Sequence, residues 1–387
     1  MKITRITSHV LSYDMPELLG YSQQYYAKRS AHLVEVETDE GVTGWGECFG
    51  PGNVAVANKG IVEGVIFPLI EGMDPMDRDV IWHKVYNLLR DHGQKGMSMQ
   101  ALSGVDIALW DIAGKVVGQP ICKLIGGAHR DSVGVYGYGM MLRPDPVQEL
   151  AARFVDEAAA IKGMGFAATK MKVGMGPRED IVLAEAVRRG VGPDFDFMVD
   201  ANHAYTTSDA FYVGRGLDEL GAYWFEEPIA PEDKDGYREL RAGLKTNIAG
   251  GEAEFNRWGW RDLLECRGLD IAQPEVCALG GITEYLRVLA LCHAHHTPVV
   301  NHVWGSAIAV ATNLQLLAAM PPLPGGLFPR EPWLEFDTTD NKFRDNLLAE
   351  PLNIQAQVKA TGRVTIPMTP GIGVTPDRDF INNYKIA

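Results

Sequence analysis

Two lysines stand two positions apart in TKMKVG, residues 169–174, a stretch that otherwise has the pattern of a strand. Side chains alternate along a strand, so Lys170 and Lys172 point to the same face. If that face points into a barrel or cleft, burial and mutual repulsion both lower the pKa values of the two ammonium groups. A lysine with a lowered pKa can act as a base. The alternative is a pair that faces solvent and has no chemical role.

Three acidic residues follow at nearly regular intervals, each at the end of a short apolar stretch. Counted from Lys172, the successive steps to Asp200, Glu226 and Glu252 are 28, 26 and 26 residues, close to the roughly 30 residues of a βαβ unit. Crowded carboxylates repel one another unless a cation lies among them, and an all-oxygen ligand set suits Mg²⁺. Otherwise the three acids are helix N-caps or surface carboxylates.

An acid and a histidine end the next two apolar stretches. Glu275 in LDIAQPE and His302 in PVVNHV are 27 residues apart. A carboxylate on a neighbouring strand can orient an imidazole and favour its charged form. The other interpretations are a core histidine and a glutamate that caps a helix. Asn202 and His203 follow Asp200 directly, so we expect them to contact substrate or to support the metal ligands.

The elements that must position these residues are parallel strands. From about residue 132 onward, short apolar stretches alternate with amphipathic helical patterns, which predicts an α/β fold with a parallel sheet. At least six successive strands carry a polar residue at the end. This favours a closed barrel, whose active site collects residues from many strands, over an open sheet with one switch point. Residues 1–126 instead show alternating strands followed by helices, an α+β unit.

Composition limits the function classes. The chain has 387 residues and a net charge of −14, which argues against a surface for nucleic acid or for an anionic membrane. The five cysteines are scattered and include no CxxC pair, so a reducing compartment is expected. The N-terminus lacks the apolar segment of a signal peptide, which predicts a soluble cytoplasmic protein. No GxGxxG, Walker or GxSxG motif occurs.

The order of these motifs resembles a known group. A KxK pair, then Asp, Glu and Glu on successive strands, then an acid and a histidine, is similar to the enolase superfamily, which uses a Lys or His base with Mg²⁺. The resemblance is to its mandelate racemase/muconate lactonizing enzyme branch, and it extends over essentially the whole chain: GWGEC, ALSGVDIALWDIAGK, DANH, FEEP, GGE, GGITE and NHVWG. Within that branch, LLRDHGQKGMSMQALSGVDIALWD and EFDTTDNKFRDNLLAEPL are most similar to galactarolactone cycloisomerases and related acid-sugar dehydratases.

The resemblance implies the architecture. It implies a modified TIM barrel of (β/α)7β type over residues 127–335, with the α+β unit of residues 1–126 as a capping domain. Residues 336–387 would form a C-terminal segment that returns to the capping domain. It also implies a homo-oligomer, either a dimer or an octamer.

The resemblance also implies residue roles. Mg²⁺ would be bound by Asp200, Glu226 and Glu252, with Lys172 as the base and Lys170 beside the substrate carboxylate. His302 with Glu275 would serve the opposite face or protonate the leaving group, although this chain has QPE where the family usually has QPD. Glu335 would hydrogen-bond the substrate carboxylate, and capping loops near residues 16–29 and 49–54 would set specificity. Four side chains of the first loop are candidates for substrate binding: Tyr21, Tyr25, Tyr26 and Arg29.

The predicted reaction is Mg²⁺-dependent removal of the proton α to the carboxylate of an acid sugar or its lactone, followed by β-elimination to a 2-keto-3-deoxy acid. Two alternatives stay open from the sequence. One is a racemase or epimerase that works by 1,1-proton transfer between Lys172 and His302. The other is a sugar-acid binding protein without catalytic activity.

Overall fold

The computed structural model describes residues 1–386, and it begins with a three-stranded antiparallel sheet. The strands are β1 (Ile3–Tyr21), β2 (Gln24–Thr38) and β3 (Thr43–Cys48). Their alternating pattern buries Ile3, Ile6, Val34 and Val36 on the face that packs against helices. Residues 16–29, predicted as a capping loop, are instead mostly paired strand, because β1 and β2 continue to a tip of residues 22–23, with a register shift between Asp14 and Leu19.

The helices of the N-terminal region pack on one face of this sheet. They are α1 (Asn53–Ile61), α2 (Phe67–Ile70), α3 (Arg78–Leu89), α4 (Met97–Val117) and α5 (Ile121–Ile125), with a π-helical turn, Val62–Ile66, between α1 and α2. Helix α4 approaches β3 so closely that a Cβ on Gly46 would lie 2.0 Å from the carbonyl oxygen of Gly104. The run Asn53–Ile70 is apolar and long enough to cross a membrane, but a helix packed in a soluble domain passes the same test.

A sheet of parallel strands follows, in the order β10-β4-β5-β6-β7-β8-β9. The strands are β4 (Ser132–Met140), β5 (Ala168–Lys172), β6 (Asp196–Asp200), β7 (Trp224–Glu226), β8 (Asn247–Gly250), β9 (Ile271–Ala272) and β10 (Trp333–Asp337). The helices between them are α6 (Val147–Gly163), α7 (Pro177–Val191), α8 (Thr207–Leu220), α9 (Lys234–Gly243), α10 (Asn256–Glu265), α11 (Gly281–Ala294) and α12 (Ala307–Ala319). This order of elements matches the expected (β/α)7β barrel, with seven helices among eight strand positions.

The seventh strand position, between β9 and β10, differs from the prediction. PVVNHV was expected to be a strand that ends at His302, but only Val299 pairs with its neighbour, through a bridge to Ala272. The amide of Val300 donates to the carbonyl of Ala272 over 3.0 Å. Toward β10 a side chain makes the link, since Glu335 accepts from the amide of Val303 over 2.7 Å. His302 therefore lies in irregular backbone just beyond the bridge.

The C-terminal segment returns to the N-terminal sheet. Its elements are α13 (Lys342–Asp345), α14 (Ile354–Thr361), β11 (Arg363–Thr365) and α15 (Arg378–Tyr384). Strand β11 pairs with β4, and Lys385 forms a bridge with Leu11 of β1. The domain limits stay a prediction, and β10 continues to Asp337, two residues past the limit placed at 335.

Buried carboxylates of the N-terminal region contact the first turns of two barrel helices. Glu47 of β3 accepts from the amides of Ser306 and Ala309, each over 2.9 Å, and from the Ser306 hydroxyl over 2.6 Å. Asp106 of α4 accepts from the amide of Thr283 over 2.8 Å. The first amides of a helix have no partner within the helix and carry partial positive charge. These contacts fix the N-terminal region over the barrel.

Candidate active site

Strand β5 carries both lysines into the barrel interior. All five of its residues are buried, and Lys172 lies opposite Asp200 in the register with β6. The ammonium of Lys170 lies 2.7 Å from Glu226 Oε1 and 2.5 Å from Glu335 Oε1, while that of Lys172 contacts Asp200. The shared face predicted from alternation is therefore the interior face.

Three carboxylates meet beside the lysines. Asp200 ends β6, Glu226 ends β7 and Glu252 lies two residues past β8. One oxygen of each lies within 4.8 Å of the others. Because the donors are all carboxylate oxygens, this set fits a hard divalent cation such as Mg²⁺.

The charges around this triad also fit a divalent cation. Eight side chains form two sets of ion pairs that adjoin at the triad. The first set joins Lys170 and Lys172 with Asp200, Glu226 and Glu335. The second set joins His302 with Glu252 and Glu275. When all are ionised, three positive charges face five negative charges, which leaves two negative charges in excess. Excess charge in a buried site is costly, and a divalent cation would balance it.

The pKa values of the three acids reflect burial and the charges of their neighbours. Burial, and then repulsion by Asp200, raises the pKa of Glu226 to about 8. Burial raises the pKa of Glu252 to about 7, although the charge of His302 opposes the rise. For Asp200 burial acts in the same direction, but the ammonium groups of Lys172 and Lys170 outweigh it and lower the pKa to about 2.

The pKa of Lys172 differs from the expectation. Burial and the charge of Lys170 both lower it, as predicted, but the charge of Asp200 outweighs them and the pKa lies above that of a free lysine. The sequence argument considered the two ammonium groups without the carboxylate opposite them. A divalent cation among the acids acts against this rise, because it offsets the negative charge that stabilises the ammonium.

His302 contacts two carboxylates through its two ring nitrogens. Nδ1 lies 2.7 Å from Glu275 Oε2, and Nε2 lies 3.1 Å from Glu252 Oε2. The other oxygen of Glu275 accepts from the amide of Cys277 over 2.8 Å, so Glu275 is held and still reaches the imidazole despite its extra methylene. Burial opposes protonation of His302, but the charges of Glu252, Glu335 and Glu275 outweigh it and raise its pKa to about 10.

Glu335 lies deeper than a surface contact for substrate would require. One oxygen contacts Lys170 and the other accepts from the amide of Val303, and the residue is buried. Burial would raise its pKa, but Lys170 and His302 outweigh burial and lower it. Its contact with a substrate carboxylate stays a prediction.

Asn202 and His203 lie directly beside the acids in left-handed backbone, with φ of 41° and 67°. The side-chain amide nitrogen of Asn202 donates to Glu252 Oε1 over 3.3 Å. His203 Nε2 lies 2.6 Å from Glu227 Oε2, and this contact, against the effect of burial, raises the pKa of His203 to about 9. Glu227, the second glutamate of FEEP, was not singled out from the sequence.

Tyr25, predicted to bind substrate, is turned away from the lysines. It is 44% exposed and its hydroxyl donates to the backbone carbonyl of Arg143 over 3.3 Å. Tyr26 lies on the opposite face of β2 because side chains alternate, and it packs near Leu19, Tyr138 and Met141. Burial raises the pKa of its hydroxyl, and the charges of Arg29 and Lys172 oppose that rise.

The other two candidates of the hairpin have partners within the protein. The Tyr21 hydroxyl accepts from Gln24 over 3.1 Å. Arg29 is buried and contacts Asp337 over 2.8 Å and Thr339 over 2.9 Å. In the segment 49–54, Phe49 packs its ring 5.9 Å from His302 and 5.8 Å from Trp304, centroid to centroid.

Two residues that support Glu226 were missed from the sequence. The indole nitrogen of Trp224 and the side-chain amide of Gln273 donate to Glu226 Oε2 over 2.9 and 2.7 Å. Oε1 is left for Lys170 and for a cation. Each residue lies two positions before a polar residue of the site, Glu226 or Glu275, so strand alternation was the signal that could have found them.

Known proteins show the same architecture. Residues 12–126 match the N-terminal domain of the mandelate racemase / muconate lactonizing enzyme family, and residues 153–380 match the enolase C-terminal domain-like family. D-galactarolactone cycloisomerase of Agrobacterium fabrum is 41% identical over 386 residues, which cover 100% of this chain and 99% of the relative. Arabinonate dehydratase of Saccharolobus solfataricus is 32% identical over 352 residues, which cover 91% and 89%.

A solved structure agrees over the same extent. A racemase from Streptomyces coelicolor A3(2) with bound magnesium has a TM-score of 0.86 at 27% identity, and the match covers 99% of this chain and 100% of that chain. Both domains and nearly the full length are therefore shared with these proteins. The chain belongs to the mandelate racemase / muconate lactonizing enzyme family of the enolase superfamily, as an isomerase or lyase.

Proposed function

We propose that the protein removes the proton α to the carboxylate of an acid sugar or its lactone and then eliminates the β oxygen to give a 2-keto-3-deoxy acid. One observation carries the proposal: Lys172 and His302 flank the three carboxylates, with Lys172 against Asp200 and His302 against Glu252. A base and an acid thus lie at the two ends of one candidate cation site. The cycloisomerase and dehydratase names of the relatives support the same chemistry.

Each residue has one task in this proposal. Asp200, Glu226 and Glu252 hold Mg²⁺, which when bound supplies positive charge that stabilises the negative charge developing on the substrate carboxylate. Lys172, as the neutral amine, takes the α proton, and the C–H electron pair forms the new double bond. The β C–O bond breaks, and His302, held at Nδ1 by Glu275, donates a proton to the departing oxygen.

The leaving oxygen decides the reaction class. If it is a hydroxyl, one water is lost and the enzyme is a dehydratase. If it is the ring oxygen of a lactone, the ring opens, no atom is lost and the enzyme is a cycloisomerase. In both cases the enol product takes up a proton at carbon to give the keto acid. Lys170, held by Glu226 and Glu335, adds positive charge beneath the substrate carboxylate.

The test is Lys172→Ala against a panel of hexarates, hexonates and their lactones with Mg²⁺. We expect turnover of the substrate found for the native enzyme to fall by about 10³-fold, within the range for loss of a general base. Lys359→Ala, at an exposed lysine of α14, is the control and should retain full turnover. Full turnover by Lys172→Ala would contradict the assignment of the base.

A second candidate is 1,1-proton transfer, a racemase or epimerase reaction, because the same flanking geometry places Lys172 and His302 at the two ends of the acid triad. Incubation in D₂O separates the two. Deuterium at the α carbon of recovered substrate without keto product favours the second candidate, and keto product favours β-elimination.

The setting of the enzyme is also part of the proposal. A small carboxylate is the partner that a cationic and metal-binding site suits, and the net charge of −14 does not suit nucleic acid or an anionic membrane. The five cysteines are free, and we propose a reducing, cytoplasmic location. The homo-oligomer, a dimer or an octamer, stays a prediction.

A further inference from the structure

The tip of the β1–β2 hairpin reaches the mouth of the barrel. Its two residues both donate to one acceptor, the backbone carbonyl oxygen of Asn202: Ser22 through Oγ over 2.8 Å and Gln23 through Nε2 over 2.8 Å. A carbonyl oxygen has two lone pairs, so these donors occupy both. The hairpin is thus joined to the loop that follows β6 by side chains 179 and 180 positions away in sequence.

Asn202 is joined in turn to two candidate metal ligands. Its backbone amide donates to Asp200 Oδ1 over 3.0 Å, and its side-chain amide donates to Glu252 Oε1 over 3.3 Å. Its backbone φ is 41°, in the left-handed region that residues other than glycine adopt at a cost. A residue in this conformation needs contacts that hold it, and the hairpin tip supplies two of them.

The loop that the hairpin tip contacts has room for Ser22 because it carries a glycine at the point of contact. Gly174 follows Lys172 by two positions and has φ of 126°, and a Cβ on it would lie 2.3 Å from the Cβ of Ser22. The loop is held from behind by Asp180, which accepts from the amides of residues 174, 175 and 176 over 3.0, 3.1 and 3.0 Å. The tip therefore docks against a loop whose own conformation is fixed.

We infer that Ser22 and Gln23 are positioning residues for the metal site. By fixing Asn202, they hold Asp200 and Glu252 where both can bind one Mg²⁺. The inference rests on the proposed ligand set. Coupling between two sites is reciprocal, so Mg²⁺ binding and docking of the hairpin tip strengthen each other. Metal affinity of the barrel thus depends on a hairpin that supplies no metal ligand.

The experiment is a titration of Mg²⁺, repeated with Mn²⁺, into full-length protein without substrate, followed by calorimetry. The double variant Ser22→Ala/Gln23→Met removes both donors and keeps the Cβ and the approximate length of each side chain. We expect its Kd for the metal to rise about 10-fold, the lower end for partners that support metal ligands. Gln24→Met is the matched control, because the Gln24 side chain donates to Tyr21 and not to Asn202. The Kd of this variant for the metal should equal that of the native protein.

A second readout follows the hairpin itself. Hydrogen exchange of residues 18–26 should slow when Mg²⁺ is added to the native protein and to Gln24→Met. In the double variant the same residues should exchange faster, with little response to Mg²⁺. A structural defect of the barrel would instead accelerate exchange in β5 and β6 as well.

Asp200→Asn separates this inference from the proposed function. If Asp200→Asn loses metal binding and the double variant binds as tightly as the native protein, the role of the tip is overturned while the ligand set stands. If Asp200→Asn still binds the metal with native affinity, the ligand set fails and the inference fails with it.

Discussion

Two sets of buried carboxylates in this molecule meet the cost of burial in different ways. Glu47 and Asp106, where the N-terminal region meets the barrel, accept hydrogen bonds from amides in the first turns of α12 and α11. Glu226 and Glu252, at the barrel mouth, face lysine and histidine side chains and other acids. Burial raises the pKa of Glu47 and of Asp106 to about 7, close to the values at the mouth.

The difference lies in what completes each set. The interface acids accept hydrogen bonds from backbone amides, and this partial compensation is present as soon as the protein folds. The acids of the mouth are left with two negative charges in excess, so their compensation is complete only with a bound cation. The first set therefore contributes to the stability of the fold. The second set keeps an excess of negative charge that a bound cation can neutralise, which is the physical basis of a binding site.

The largest expected effect is on metal affinity. Glu252→Gln removes one ligand charge and keeps the shape of the side chain, so we expect Mg²⁺ affinity to fall by at least about 100-fold, beyond the usual loss of a supporting partner. The melting temperature without metal should stay the same or rise, because the charge excess decreases. Calorimetry and thermal unfolding measure the two effects. A lower melting temperature without metal would contradict the comparison.

Glu47→Ala should show the opposite combination. Two amides and one hydroxyl lose their acceptor in a buried place, so we expect the free energy of unfolding to fall by about 3 kcal/mol. Metal affinity of the folded protein should change little. Glu350→Ala, at an exposed residue, is the control for denaturant unfolding. A large loss of metal affinity in Glu47→Ala with native stability would show that the two sets are not separate.

The pH dependence of Mg²⁺ binding distinguishes the two sets next. Without metal the pKa of Glu226 is about 8 and that of Glu252 about 7, so both lose protons when a cation binds at pH 6. Affinity should therefore rise with pH, by about tenfold per unit for each proton displaced, and level off above pH 8. Calorimetry in buffers of different protonation enthalpy counts the protons. Mg²⁺ binding to Glu252→Gln should release one proton fewer than binding to the native protein. If Mg²⁺ binding to the native protein releases no proton, the expected pH dependence is wrong.

The smallest effect concerns Glu275, which has one partner of each kind. One of its oxygens accepts from a backbone amide and the other holds His302. Glu275→Asp restores the residue usual in the family but shortens the side chain, which weakens its hydrogen bond to His302. We therefore expect kcat to fall about 10-fold, near the lower end of what one hydrogen bond to a charged group contributes. Metal affinity should stay native. The pH profile of kcat provides the check. His302 must be protonated to donate, so the limb at high pH should move to lower pH when His302 loses a close carboxylate partner. An unchanged profile would assign Glu275 to a structural role.

Local pattern was enough for the elements that carry the chemistry. The shared face of Lys170 and Lys172 follows from strand alternation. The meeting of Asp200, Glu226 and Glu252 follows from the repeat of βα units, because the ends of parallel strands gather at one rim. These features depend on residues a few positions apart or on a regular period, both of which are visible in one sequence.

Other features depended on contacts between distant residues. Tyr25 and Tyr26 lie on opposite faces of β2. Nothing in the local sequence specifies that β2 already begins at residue 24, where it pairs with the end of β1. The raised pKa of Lys172 comes from Asp200 across the strand pair, 28 positions away. The carbonyl of Asn202 meets a hairpin tip about 180 positions earlier in the chain.

The sequence by itself determined the barrel, the order of its polar strand ends and the residue types that face the metal site, because these are set by periodicity and spacing. Only the tertiary structure decided which partners compensate each buried charge, where the seventh strand position loses its regular pairing, and how the capping hairpin contacts the metal loop. Both pKa shifts and docking contacts depend on atoms that the fold brings together, and a single charged neighbour can reverse the direction of a pKa shift.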